Sequence, residues 1–282
     1  MSNPQVPYVD SVFHPTDFSD ASELAFAHAL AIAVSRRTDF TMLHAGGKHD
    51  VDGEWKTFPP VRRTLERWGY LEPESTRSAV FRALTIRVRK IEARSGNPVA
   101  ASLRYLDEHP TDLIVLATEG KEGIPRWLKR SVAEELATRS KVKTLFVPDG
   151  SRGFVHPDNG SIVLRNIVVP VVREPDPAAA LEYARRAAAA SVKSPVKISV
   201  VHVGDASTMP DLDLPEDPAC TWETRYRAGD PVEEIEKAAR IHKADVVVMP
   251  TTGRHGILDA LRGSVTERVL RRLSCPLLAV PE

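Results

Sequence analysis

The chain carries one pattern twice. With residue 96 laid over residue 229, a shift of 133, "GNPVAASLRYLDEHPTDLIVLATEGKEG" faces "GDPVEEIEKAARIHKADVVVMPTTGRHG" without a gap. The match runs on to Pro148, with roughly a third of positions identical. Upstream, at a shift of 155, "SVFHPTDFSDASELAFAHAL" faces "NIVVPVVREPDPAAALEYAR". Duplication over most of each half means one domain built in tandem. It predicts units at 1–148 and 162–282, each able to bury its own core, joined by a linker at 149–161 rich in turn formers.

Both units share one grammar. An apolar strand (9–14, 166–171) leads through a turn into an Ala-rich helix (20–35, 177–191). Leu24, Ala27, Ala31 and Val34 recur at the helical period on one face. A second strand follows, "FTMLHA" or "KISVVHV". Asn97 and Asp230 then stand as N-caps, each ahead of a proline at the first helical position. Asp176 has the same look ahead of Pro177. The runs "DLIVLA" and "DVVVMP" are apolar on both faces, as central strands of a parallel sheet are. Each unit closes on "KTLFVP" or "PLLAVP". Such alternation predicts an α/β fold of two tandem, doubly wound, Rossmann-like parallel-sheet domains. The middles differ: the first unit has room for a helix at 76–90, and the second has only "GDASTMPDLDLPEDPAC", read as a loop.

Composition removes several function classes. Lys+Arg and Asp+Glu number 38 each, so there is no basic excess to hold nucleic acid or an anionic membrane. No apolar run reaches the roughly 20 residues of a membrane span. The opening "MSNPQVPYVD" lacks the basic and apolar regions of a secretory signal. Cys220, expected in a loop before a strand, and Cys275 show neither metal spacing nor a disulfide framework, so both are expected as free thiols. These features together predict a cytoplasmic protein. Walker A, G-x-G-x-x-G, G-x-S-x-G and zinc motifs are all missing from the sequence.

On "PTDFSDASELAFAHAL" and "GRHGILDALRGSVTERVLRRLSCPLLAVP" the chain resembles the universal stress protein family in its tandem two-domain form. The resemblance implies a regulator rather than a classical enzyme. Nucleotide-binding members read glycine, two residues, glycine, nine residues, glycine, then serine or threonine. That loop holds phosphates and ribose of ATP or a related adenine nucleotide, and an aspartate after the first strand contacts adenine. Members without the motif bind no nucleotide. The resemblance also implies that the last strands, around 145–147 and 278–280, pair across a two-fold axis as a pseudo-dimer.

Residue by residue, the second unit matches the loop with Gly253, Gly256, Gly263 and Ser264, flanked by Thr252 and Val265, and Pro170, Val171 and Val203 fall at the base end. The first unit matches with Pro15, Thr16, Asp17, Ala45, Gly120, Gly123 and Ser131. Only six residues separate Gly256 from Gly263, which tells against a triphosphate seated as in longer loops. Val172 stands where the first unit has Asp17, and Arg130 stands where the second has Gly263. An arginine there either blocks phosphate or grips it as a charged fork. Ser264 with Glu267, and Ser131 with Glu134, read equally well as capping boxes that need no ligand. Trp127, beside Pro125, is placed either to seal the first cleft or to cover its loop. His44 and His202, at equivalent strand ends, read as satisfied side chains, and His255 has no metal partner at useful spacing.

The expectation is therefore a regulator that binds an adenine nucleotide, with or without Mg²⁺, chiefly in the second unit. It would act on a protein partner whose identity the sequence leaves open, as a monomeric pseudo-dimer or a homodimer. Two alternatives stand beside it: a scaffold that binds proteins without nucleotide, and a slow ATPase or phosphotransferase. The last is disfavoured, because no base or metal-carboxylate cluster accompanies the loops.

Overall fold

The computed structural model describes residues 10–45, 61–118, 136, 139–252 and 265–282. Among them the first half runs β1 (Ser11–Pro15), α1 (Asp20–Arg36), β2 (Asp39–Ala45), α2 (Val61–Arg67), α3 (Arg77–Leu84), β3 (Val88–Ala93), α4 (Pro98–Glu108), β4 (Leu113–Thr118) and β5 (Lys143–Pro148). The second runs β6 (Asn166–Val171), α5 (Ala178–Ala190), β7 (Val196–Val203), β8 (Cys220–Arg227), α6 (Pro231–Ile241), β9 (Val246–Thr251), α7 (Val265–Leu270) and β10 (Leu277–Pro281). The strands form one ten-stranded sheet, β3-β2-β1-β4-β5-β10-β9-β6-β7-β8. Every neighbour pair is parallel except β5 and β10.

That antiparallel pair is the seam between the halves. Leu145 stands opposite Leu278, with Phe146 opposite Leu277 and Thr144 opposite Ala279. Leu278 is the copy of Leu145 at the shift of 133, so the pairing exchanges equivalent residues, as a two-fold axis requires. The ladder thus sits one residue earlier than expected, at 144–146 and 277–279. Val147 and Val280 instead pair inward, with Ala117 and Pro250. The seam hides two strand edges that would otherwise be open to other chains.

Apolar strands are covered on both faces. One face buries Val12, Phe40 and Leu145 against Ala25, Phe26 and Ala29 of α1. The other buries Phe13, Phe146 and Val247 against Leu103 of α4 and Ile235 of α6. Small alanines let α1 sit close to the sheet. Its start is set by Ser19, whose side chain accepts from Ser22 N, and its end by Arg37 in the left-handed conformation. Asn97 and Asp230 cap α4 and α6, accepting from Ala100 N and from Val232 N and Glu233 N. Asp176 accepts from Ala178 N, but the N-cap position itself falls to Pro177.

Two expectations need correction. The helix expected at 76–90 stops at Leu84, because Thr85 turns left-handed (φ 59) and its N–H bonds Phe81 O. The chain then returns as β3 beside β2, a charged edge strand. In the second half β8 fills the equivalent place, and Cys220 is its buried first residue rather than part of a loop. The linker segment 149–161 is itself held by named contacts. Phe154 N–H donates to His28 Nε2 at 3.0 Å, while His28 Nδ1 donates to Leu24 O at 2.7 Å. Trp68 Nε1 donates to Pro157 O at 2.8 Å, and Val155 bridges Ile162. Burial pushes His28 down to about 4, so this doubly bonded imidazole is neutral.

Candidate functional site

In an open α/β sheet, ligands lodge outside the carboxyl ends of the strands, where the strand order reverses. This sheet has two such points, between β1 and β4 and between β6 and β9. Strands β6 and β9 pair only at Ile167–Val246 and Val168–Val247, then part. A cleft of about 300 Å³ opens above the fork. It brings together Pro170, Val171, Val203, Thr252 and Val265, five residues singled out in the sequence. It also takes in residues that the sequence did not mark, among them Met249, hidden in an apolar strand run, and Ile235 on α6. The spacing of Ile235 from the N-cap Asp230 was the available signal, since it sets which face of α6 meets the sheet.

The floor is apolar, with Val171 and Met249 buried, and threonines 251, 252 and 266 supply hydroxyls at the rim. Glu174 lines the same rim, and no lysine or arginine lines the cleft among the described residues. A flat aromatic ring suits such a floor, and charged groups would have to be met elsewhere. Val172, which replaces the aspartate, is exposed and offers a base packing surface without a hydrogen-bond acceptor in its side chain. Gly253, Gly256, Gly263, Ser264 and His255 lie outside the described residues, as do Gly120, Gly123, Pro125, Trp127, Arg130, Ser131 and Glu134. Glu267 is buried and pairs with Arg271 one turn on.

In the first half, Pro15, Thr16, Asp17 and Ala45 gather at the carboxyl ends of β1 and β2, where one Asp17 oxygen and the Thr16 hydroxyl already hold partners. Asp17 Oδ1 accepts from Ser19 N at 3.0 Å and from Ser19 Oγ at 2.6 Å, bracing the residue that caps α1. Thr16 Oγ1 lies 3.1 Å from Ser22 Oγ and accepts from Phe18 N.

Three histidines near the strand ends serve the framework. His44 Nδ1 donates to Thr16 O at 2.9 Å, and its ring stacks on Phe18 at 4.2 Å. His202 Nδ1 donates to Val171 O at 3.0 Å, pinning the end of β6 at the floor of the cleft, and Nε2 lies 2.9 Å from Thr208 Oγ1. His14, unmarked in the sequence, fills the β1–β4 fork where the second half has Val169, and donates from Nδ1 to Val115 O at 2.9 Å. Its Nε2 is buried without a partner, and burial pushes this histidine down to about 4. Among the described residues no group of three or more His, Cys, Asp or Glu is placed to hold a metal ion. Nor is any described helix long and apolar enough to cross a membrane.

The universal stress protein family model matches residues 10–148 and 212–281, most of the first half and the later part of the second. The chain belongs to this family. A universal stress protein of Methanocaldococcus jannaschii is 46% identical over 57 residues, which is 20% of this chain and 34% of that one. The match thus spans about a third of that relative's length. A universal stress protein from Archaeoglobus fulgidus superposes with a TM-score of 0.60 at 17% identity over 96% of both chains, a likeness of fold. A universal stress protein solved in complex with cAMP aligns at TM-score 0.33 and 24% identity, covering 49% of this chain and 96% of that one.

Proposed function

We propose that this universal stress protein binds an adenine nucleotide in the β6–β9 cleft and acts as a cytoplasmic regulator rather than as a classical enzyme. The observation that carries the reading is the cleft itself, open at the switch point and lined by Pro170, Val171, Val203, Thr252 and Val265. At about 300 Å³ it stands at the small end of ligand pockets, room for a base and its sugar. The base packs on Val171, Val203 and Met249. The phosphates of ATP, ADP or AMP, with or without Mg²⁺, then fall to the glycine segment between Thr252 and Val265, where backbone N–H groups of Gly253, Gly256 and Gly263 can approach closely. The second half is favoured because Asp17 in the first half already serves Ser19. Units at 1–148 and 162–282, joined through the docked segment 149–161, make a monomeric pseudo-dimer whose exposed surface reports the bound state to a partner protein.

Calorimetry with ATP, ADP and AMP tests this. Gly263→Arg places in the second half the residue that the first half already carries at Arg130. It should weaken binding about a hundredfold, the scale of losing charge-assisted backbone contacts. Arg130→Gly should add affinity in the first half. If wild type and Gly263→Arg bind alike, or neither binds, the scaffold reading replaces this one.

A further inference from the structure

A second pocket, of about 420 Å³, lies at the opposite, amino end of the sheet, walled by the ends of α6 and α7 and by the segment before β6. Its walls carry four cations, Arg152, Arg240, Lys243 and Arg272, against two carboxylates, Glu236 and Asp245. Both carboxylates are committed. Asp245 accepts from Arg165 N at 2.6 Å and Asn166 N at 2.9 Å, and pairs with Arg152. Glu236 pairs with Arg272 at 3.6 Å. Arg240 and Lys243 form no ion pair among the described residues. Four cations against two anions leave two positive charges uncompensated, on a chain whose formal net charge is zero. Cys275 in the same wall adds no negative charge at neutral pH, since burial pushes its thiol up to about 12.

Cations after a helix also complement its dipole, which accounts for Arg240 in the last turn of α6. It accounts likewise for Arg272, just beyond α7, but not for Arg152, which comes from the segment before β6 and faces the same space. We propose that this pocket binds a compact phosphate anion of two or more charges, of the pyrophosphate type. Guanidinium forks match phosphate oxygens in pairs, and a lysine adds a point charge that tolerates several geometries. Two uncompensated cations suit a compact dianion. The site stands apart from the β6–β9 cleft and does not depend on the nucleotide reading.

Titration of the full chain with pyrophosphate, followed by calorimetry, tests the proposal. Wild type should bind, and more weakly as salt is raised. Arg240→Gln/Lys243→Gln should lose roughly tenfold to a hundredfold in affinity. Arg104→Gln, which removes an exposed cation from α4 in the first half, should bind as wild type does. Glu236→Gln removes a carboxylate and frees Arg272, so it should bind more tightly; this gain keeps the test decisive if the double variant fails to fold. Absence of binding by wild type overturns the proposal. So does binding that is lost in Gly263→Arg but kept in the double variant, since the glycine segment would then be the phosphate site. No tightening in Glu236→Gln overturns it as well.

Discussion

Gly150 and Gly153 share a left-handed backbone, φ 67 and 63, but not their surroundings. A Cβ on Gly150 meets nothing within 4 Å. On Gly153 it would stand 2.6 Å from His28 Nε2 and closer still to Cε1. Alanine at either position takes on the left-handed conformation, a cost of about 1–2 kcal/mol. Only Gly153→Ala adds a collision, and the imidazole has nowhere to go. Its Nδ1 donates to Leu24 O, its Nε2 accepts from Phe154 N, and its ring meets Phe154 edge-on at 4.6 Å. Overpacking a buried site costs about 1–3 kcal/mol. Leaving the Phe154 N–H unpaired costs about 1–3 kcal/mol more. Gly153→Ala should therefore be less stable than Gly150→Ala by about 2 kcal/mol or more. Urea unfolding of both variants, compared at equal slope, measures the difference. Equal midpoints would refute the docking of this segment on α1.

His14 and His28 fix the acid limb of stability. Burial holds both near 4 in the folded chain against 6.5 for an exposed histidine, so the unfolded chain takes up protons first as pH falls. Their contribution is complete above about pH 6.5 and is lost progressively toward pH 4. Urea midpoints should fall between pH 7 and pH 5, and a flat profile would contradict the burial of these rings. Residues 162–282 alone would bare β10, whose seam register pairs equivalent residues, so this piece should self-associate with Leu278 opposite its own copy. Light scattering that shows a monomer as stable as the whole chain would count against the seam.

The elements whose signals were local were legible in the sequence. The duplication foretold two copies of one parallel sheet, and the caps Asn97 and Asp230 marked helix starts because a side-chain oxygen beside a bare N–H acts within three residues. What escaped depended on distant partners. Thr85 ends α3 left-handed, a conformation that a β-branched residue does not advertise, and β3 becomes a strand only because β2 lies beside it. The turn formers of 149–161 were visible, but the imidazole that receives Phe154 comes from 126 residues away. At the site, Pro170, Val171 and Val203 were found through resemblance to the family, whereas Met249 looked like any other residue in an apolar run. Asp17 was read for its match to the family, and its service to Ser19 emerged only from geometry.

The central claim is that the base of an adenine nucleotide lies in the β6–β9 cleft of the second half. Methyl resonances of Val171, Val203 and Met249, followed by NMR while ATP or AMP is added to the full chain, report on that floor directly. Saturable shifts are expected at these three residues, with none at Ala45 or at the Thr16 methyl in the first half. Saturable binding that moves Ala45 and Thr16 and leaves Val171, Val203 and Met249 unchanged would contradict the claim.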